Sequence, residues 1–227
     1  MRRHHWYHLY ADGDWIDATS THIETLRRSP IDFASVHVGL VGTWEARMAA
    51  GLWLAACWPE ASIDVDVDDG FELPTLQHLA DSLDTLHGDD VVFYAHTKGA
   101  GHPGVLNDVW RDGMLEVLVR GYDHCAGRWA TEGGYDIATC HWLRPELQTD
   151  PDFGDRPYPG GNFWWATVDY LRTLPSPIPT SSRYEAEAWV GTGPRPPRVL
   201  NLDARHPWHA YAHRAKQRLR ATARTGG

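Results

Sequence analysis

The sequence predicts one α/β sandwich built on a mostly parallel central sheet. Strand-like and helix-like runs alternate along the chain, the stretch DDVVFYAH at residues 89–96 has a continuous apolar run over 91–95 as in a strand buried on both faces, and no repeat or domain-splitting linker appears before about residue 191. A length of 227 residues, 42% hydrophobic and 22% charged, is ample for such a core.

Taken in order, residues 4–11 read as a first strand closed by the turn DGDW, and residues 16–30 as a helix that Pro30 ends. A second strand, residues 33–42, stops at Gly42 and is followed by a helix that Pro59 terminates. Residues 61–69, ASIDVDVDD, alternate apolar and acidic side chains, the period of a half-exposed strand. A helix at 73–87 carries Pro74 in its first turn, and the apolar run ending at His96 follows it. A long helix is expected over 105–130, a strand over 135–143, a Pro/Gly/Asp loop over 144–161 and a helix over 162–175. The segment RYEAEAWVG, residues 183–191, comes next, and a tail from residue 192 completes the chain.

A net charge of −9 gives no general attraction to nucleic acid or to an anionic membrane. Residues 192–227 form the exception, a basic stretch read as a helical tail that either is solvated or makes peripheral contact with a membrane or polyanion. The odd cysteine count, three, argues against a complete disulfide framework and for a reducing compartment. With no signal-peptide pattern and no apolar run of membrane-spanning length, a cytoplasmic location is expected.

The chain holds only two lysines, and one of them, Lys98, stands where the apolar strand ends. There His96, Thr97, Lys98 and Gly99 combine a ring nitrogen, a hydroxyl, a point charge suited to phosphate oxygens and a backbone free of Cβ. Ligands of parallel sheets sit beyond such strand ends. Asp64, Asp66 and Asp68 would share one face of an extended strand, either as a cluster for a hard divalent cation or as the acidic face of an edge strand. Gly160, Gly161 and Asn162 precede Phe163, Trp164 and Trp165; on a helix the adjacent tryptophans would diverge by about 100°, leaving one toward a cleft. Glu185, Glu187 and Trp189 offer carboxylates beside an indole, the setting of a general base.

In combination, the HTKG element, the WRDGM stretch with Trp110 and Arg111, GNFWWA and RYEAEAW resemble a family of bacterial and viral glycosyltransferase-like proteins with a GT-A fold, a Rossmann-like sandwich. The resemblance spans roughly residues 6–191. It implies a nucleotide-sugar donor held by His96, Thr97, Lys98, Gly99, Trp110, Arg111 and Gly42. It also implies a saccharide or other hydroxylated acceptor against Gly161, Asn162, Trp164, Trp165 and Trp189. By the same resemblance Glu187 would be the base of an inverting transfer, with Glu185 and Asp169 as substitutes. The family's strand end carries Asp-x-Asp for a divalent metal, whereas this chain has His96-Thr97-Lys98. That replacement argues against metal dependence; His96 with Asp64, Asp66 and Asp68 keeps manganese or magnesium as the alternative. A non-catalytic nucleotide-sugar or carbohydrate-binding module is the second reading.

Overall fold

The apolar runs fold into strands that leave the core at one edge. The structure, a computed structural model, describes all residues except 103, 145–155, 179–182, 206 and 226–227. Strands β1 (Arg3–Tyr10), β2 (Ser35–Val41), β3 (Ala61–Val67) and β4 (Val91–His96) are parallel and lie in the order β3-β2-β1-β4. The direction of chain progression therefore reverses between β1 and β4, where His8 and His96 stand side by side. Such a reversal opens a crevice at the carboxyl ends of the strands.

The crossovers α1 (Trp15–Arg27) and α2 (Trp44–Cys57) pack on one face with Tyr7, Leu9 and Phe93; α3 (Leu73–Ser82) packs on the other with Trp6, Val92 and Tyr94. After β4, α4 (Val105–Leu115) runs through a π-helical turn at Glu116–Arg120 into α5 (Tyr122–Glu132), so the expected long helix is broken near Gly121. Then come β5 (Ile137–Thr139), the short ribbon of β6 (Trp142–Leu143) and β7 (Tyr158–Pro159), β8 (Trp164–Thr167), α6 (Val168–Leu171), α7 (Arg183–Ala188), β9 (Val199–Asn201) and α8 (Pro207–Thr225). The main sheet has the order β3-β2-β1-β4-β8-β5-β9, with β8 antiparallel to both its neighbours.

Three expectations change here. The segment expected as a helix with one tryptophan toward a cleft is strand β8. Adjacent strand residues point to opposite faces, so Trp164 enters one core half and Trp165 the other, both fully buried. Residues beyond 191 are not an appended tail: β9 closes the sheet edge, and α8 lies on α4 with Ala210, Tyr211 and Ala215 buried. Finally, β3 carries a bulge at Asp64, since Val38 pairs with Ile63 and Gly39 with Val65. The extra residue inverts the alternation. Asp64 bonds His37 on the α3 side, whereas Asp66 and Asp68 pair with Arg47 of α2. Among the described residues no helix is long and apolar enough to cross a membrane.

Candidate functional site

A cleft of about 770 Å³ opens at the carboxyl ends of β1, β2 and β4. His8, Tyr10, Val41 and His96 bring the strand ends to it, and Thr97, Lys98 and Gly99 form its floor. Because β8 runs the other way, the loop that enters it, Gly160-Gly161, reaches the same edge and faces His96. The third wall comes from Asp68, Asp69, Phe71 and Glu72 before α3, and the fourth from Tyr184 and Glu187 of α7.

The HTKG turn is held from below. Thr97 is buried; its Oγ1 accepts the Tyr10 backbone N–H at 2.9 Å, and its own N–H donates to the His8 carbonyl. Gly99 takes a φ of 92°, and a Cβ there would lie 2.9 Å from the Asn107 Cβ. Lys98 Nζ stands 4.1 Å from the centre of the Trp110 ring, a cation–π contact between two residues of the cleft lining. Arg111 is buried outside the cleft lining and donates to the Lys98 carbonyl at 3.1 Å, so it supports the turn rather than touching a ligand. Gly42 is likewise beneath the rim, where a Cβ would sit 3.0 Å from the carboxylate of Asp12, a cleft residue that accepts from Thr43.

The opposite wall is a hydrogen-bonded network around Glu72. Its Oε2 accepts from Tyr94 Oη at 2.8 Å and from Asn162 Nδ2 at 2.7 Å. Asn162 Oδ1 in turn accepts from Trp164 Nε1, so Asn162 is a buried brace, not an acceptor wall. Asn162 and Phe71 both have a φ of 52°, strain located on the two loops that meet here. Burial and the nearby Lys98 charge hold the His96 pKa down at about 3, and burial lowers that of His8 to about 4. Both rings are neutral under ordinary conditions.

Of the three expected carboxylates, only Glu187 faces the cleft. Glu185, two residues away on a helix, points to a separate depression of about 740 Å³ and pairs with Arg156 at 2.7 Å. Trp189 lines that same depression and donates to the Pro175 carbonyl. Asp169 is exposed at the opposite end of the sheet, its N–H bonded to the Gly88 carbonyl, because β8 carries the chain away from the cleft. Trp164 and Trp165 donate inside the core, to Asn162 and to the Leu118 carbonyl, and present no face to solvent.

The expected metal ligands do not converge. Asp66 and Asp68 turn to the Arg47 guanidinium, and Asp64 lies on the other face of β3. Asp64 does meet His37 and His78, whose donor atoms all fall within 4.8 Å. This nitrogen-rich set is unlike the oxygen shells of magnesium or manganese, and His78 Nδ1 already accepts from Trp6 Nε1.

The fold and site together define an α/β protein with a cleft of mixed polar and aromatic lining at the topological switch of its sheet. No family model matches the chain, and neither does any curated protein sequence. Among solved structures, 4-diphosphocytidyl-2C-methyl-D-erythritol synthase overlays with a TM-score of 0.46 at 12% identity, covering 94% of this chain and 98% of that one. Residues 1–349 of S. aureus TarS, in complex with UDP-GlcNAc, overlay with 0.47 at 10% identity, covering 90% and 57%. Glucosyl-3-phosphoglycerate synthase from Mycobacterium tuberculosis, in complex with Mn2+, UDP-glucose and phosphoglyceric acid, overlays with 0.42 at 17% identity, covering 76% and 59%. The chain thus spans less than two thirds of the last two.

Proposed function

We propose that this protein binds a nucleotide-diphosphate sugar in the cleft and transfers the sugar to a hydroxyl acceptor with inversion. The observation that supports this most directly is Lys98, a cation over Trp110 at the end of β4 that lines the same cleft as Glu187. In the transfer, an acceptor oxygen bonds to the anomeric carbon as the bond from that carbon to the diphosphate oxygen breaks. The acceptor proton passes to the Glu187 carboxylate, and the electron pair leaves with the diphosphate. Lys98 stabilises the charge that builds there. Phe71, Tyr158 and Tyr184 supply the aromatic lining that the buried tryptophans do not. Asp64 and Asp66 lie outside the cleft lining, and Asp68, on its wall, pairs with Arg47, so no step is assigned to a metal.

The test is a panel of UDP-, GDP-, dTDP- and CMP-sugars, scored by thermal shift and by nucleotide release, with and without EDTA. Selective stabilisation with slow release is expected. Binding without hydrolysis or transfer, whatever the acceptor, would replace the enzyme by a binding module.

A further inference from the structure

On one wall of the cleft two hydrogen-bond acceptors face each other, with no donor between them among the described residues. His96 Nε2 lies 3.0 Å from the Gly161 carbonyl oxygen. A carbonyl can only accept, so Nε2 carries the ring proton and Nδ1 is left with a lone pair. That lone pair looks at Glu72 Oε1 across 3.5 Å. The other carboxylate oxygen is occupied twice, by Tyr94 and Asn162, which fixes the direction in which Oε1 points. Among the described residues no donor reaches either Oε1 or Nδ1. Both side chains are about seven-eighths buried, with 13% and 12% of their surface exposed, on the wall of an open cleft. Both atoms stay open to the cleft instead of being sealed in the core, so a ligand can reach them.

We infer that Glu72 and His96 form a subsite for two adjacent hydroxyls of a sugar, one donating to Glu72 Oε1 and the other to His96 Nδ1. A single hydroxyl has only one proton to give, whereas a vicinal pair satisfies both acceptors at their spacing. A second cation is disfavoured because the Lys98 ammonium already acts on His96. No third metal-ligating side chain completes a cluster with this pair, since the set formed among the described residues is the one around His37. The inference deepens the transferase reading and rests on it for which sugar arrives; the pair's need for donors stands without it.

Glu72→Gln separates this role from a structural one. The amide oxygen can keep the bonds from Tyr94 and Asn162, while its N–H₂ supplies the donor that His96 Nδ1 lacks. The unliganded variant should therefore melt about 2–4 °C higher than the parent, while its sugar subsite is already filled. Titration calorimetry with UDP, GDP and dTDP, with their glucose esters, and with free glucose reads the second half. In the parent, the ester that binds is expected to be about 10–100-fold tighter than its nucleoside diphosphate. In Glu72→Gln that increment should vanish while the diphosphate alone binds as before. A ¹⁵N spectrum should show His96 Nδ1 unprotonated in the unliganded parent.

An increment that survives Glu72→Gln, a protonated Nδ1, or Glu72-dependent binding of MnCl₂ alone overturns the subsite. Glu72-dependent binding of glucose without binding of any nucleotide supports the subsite and overturns the transferase reading. If neither nucleotides nor sugars bind the parent, both are overturned.

Discussion

Tyr211 of α8 fills the space above Gly113 of α4: a Cβ at position 113 would lie 2.3 Å from the tyrosine ring. The same ring stacks at 6.5 Å on Trp110, and its hydroxyl meets His141 Nε2 at 2.8 Å. The helix expected as a loose basic tail is therefore part of the wall behind Lys98. Gly113→Ala should destabilise the protein by about 1–3 kcal/mol, because overpacking outweighs the propensity gain of roughly 0.5–1 kcal/mol that alanine brings to a helix. Urea unfolding of Gly113→Ala, Tyr211→Ala and the double variant checks this, with the double variant less destabilised than the sum of the singles.

Lys98→Ala should weaken nucleotide-sugar binding by about 10–100-fold, the worth of a charge-assisted contact to diphosphate. Lys98→Arg keeps the charge but not the compact head, and an intermediate loss is expected. Calorimetry at two salt concentrations measures both, and equal affinity for Lys98→Ala would remove the diphosphate role.

The carboxylates should part company in assays of transfer. Glu187→Gln is expected to lower kcat by about 10²–10⁴-fold with donor affinity retained, as for loss of a general base. Glu185→Gln and Asp169→Asn, which lie outside the cleft, should remain within about twofold of the parent.

Acid should unfold this protein before most of its carboxylates titrate. His5, His8, His22 and His96 are buried as neutral rings, with burial lowering His5 and His96 to about 3, His8 to about 4 and His22 well below its usual value. An unfolded histidine titrates near pH 6.5. Their contribution is thus complete above about pH 6.5 and is lost as pH falls, because the unfolded chain takes up protons that the folded chain refuses. Each ring adds a slope of about 1.4 kcal/mol per pH unit down to its folded pKa. Urea midpoints measured from pH 7.5 to pH 4.5 should fall steeply. His5 and His22 contact each other at 2.8 Å, and replacing both by phenylalanine should remove about half of the slope.

Much of the sheet was legible because periodicity and punctuation agreed. The end of β4 was recognisable as a cleft edge from a continuous apolar run that stops at a lysine in an arginine-biased chain. Trp164 and Trp165 misled because an adjacent aromatic pair has no period of its own: it suits one turn of helix as well as two faces of a strand. The acidic alternation of β3 failed at one residue, Asp64, since a bulge leaves no mark in composition. Glu72 was illegible as a site residue. In sequence it is an ordinary acid before Pro74, and only the reversed direction of β8 brings Asn162 to it across a separation of 90 residues. Arg111 was expected at the donor site, whereas its guanidinium supports the Lys98 carbonyl and its neighbour Trp110 reaches the cleft.

The distribution of these partners along the chain has a temporal consequence. The half-sheet β1 to β4, with its crossovers, is complete within the first 96 residues. The groups that complete its cleft edge are supplied much later, by Asn162, Glu187 and finally Tyr211. During synthesis a chain can bury its first core well before it can hold Lys98 and Glu72 in register. The cleft therefore cannot be complete until α7 and α8 have been made.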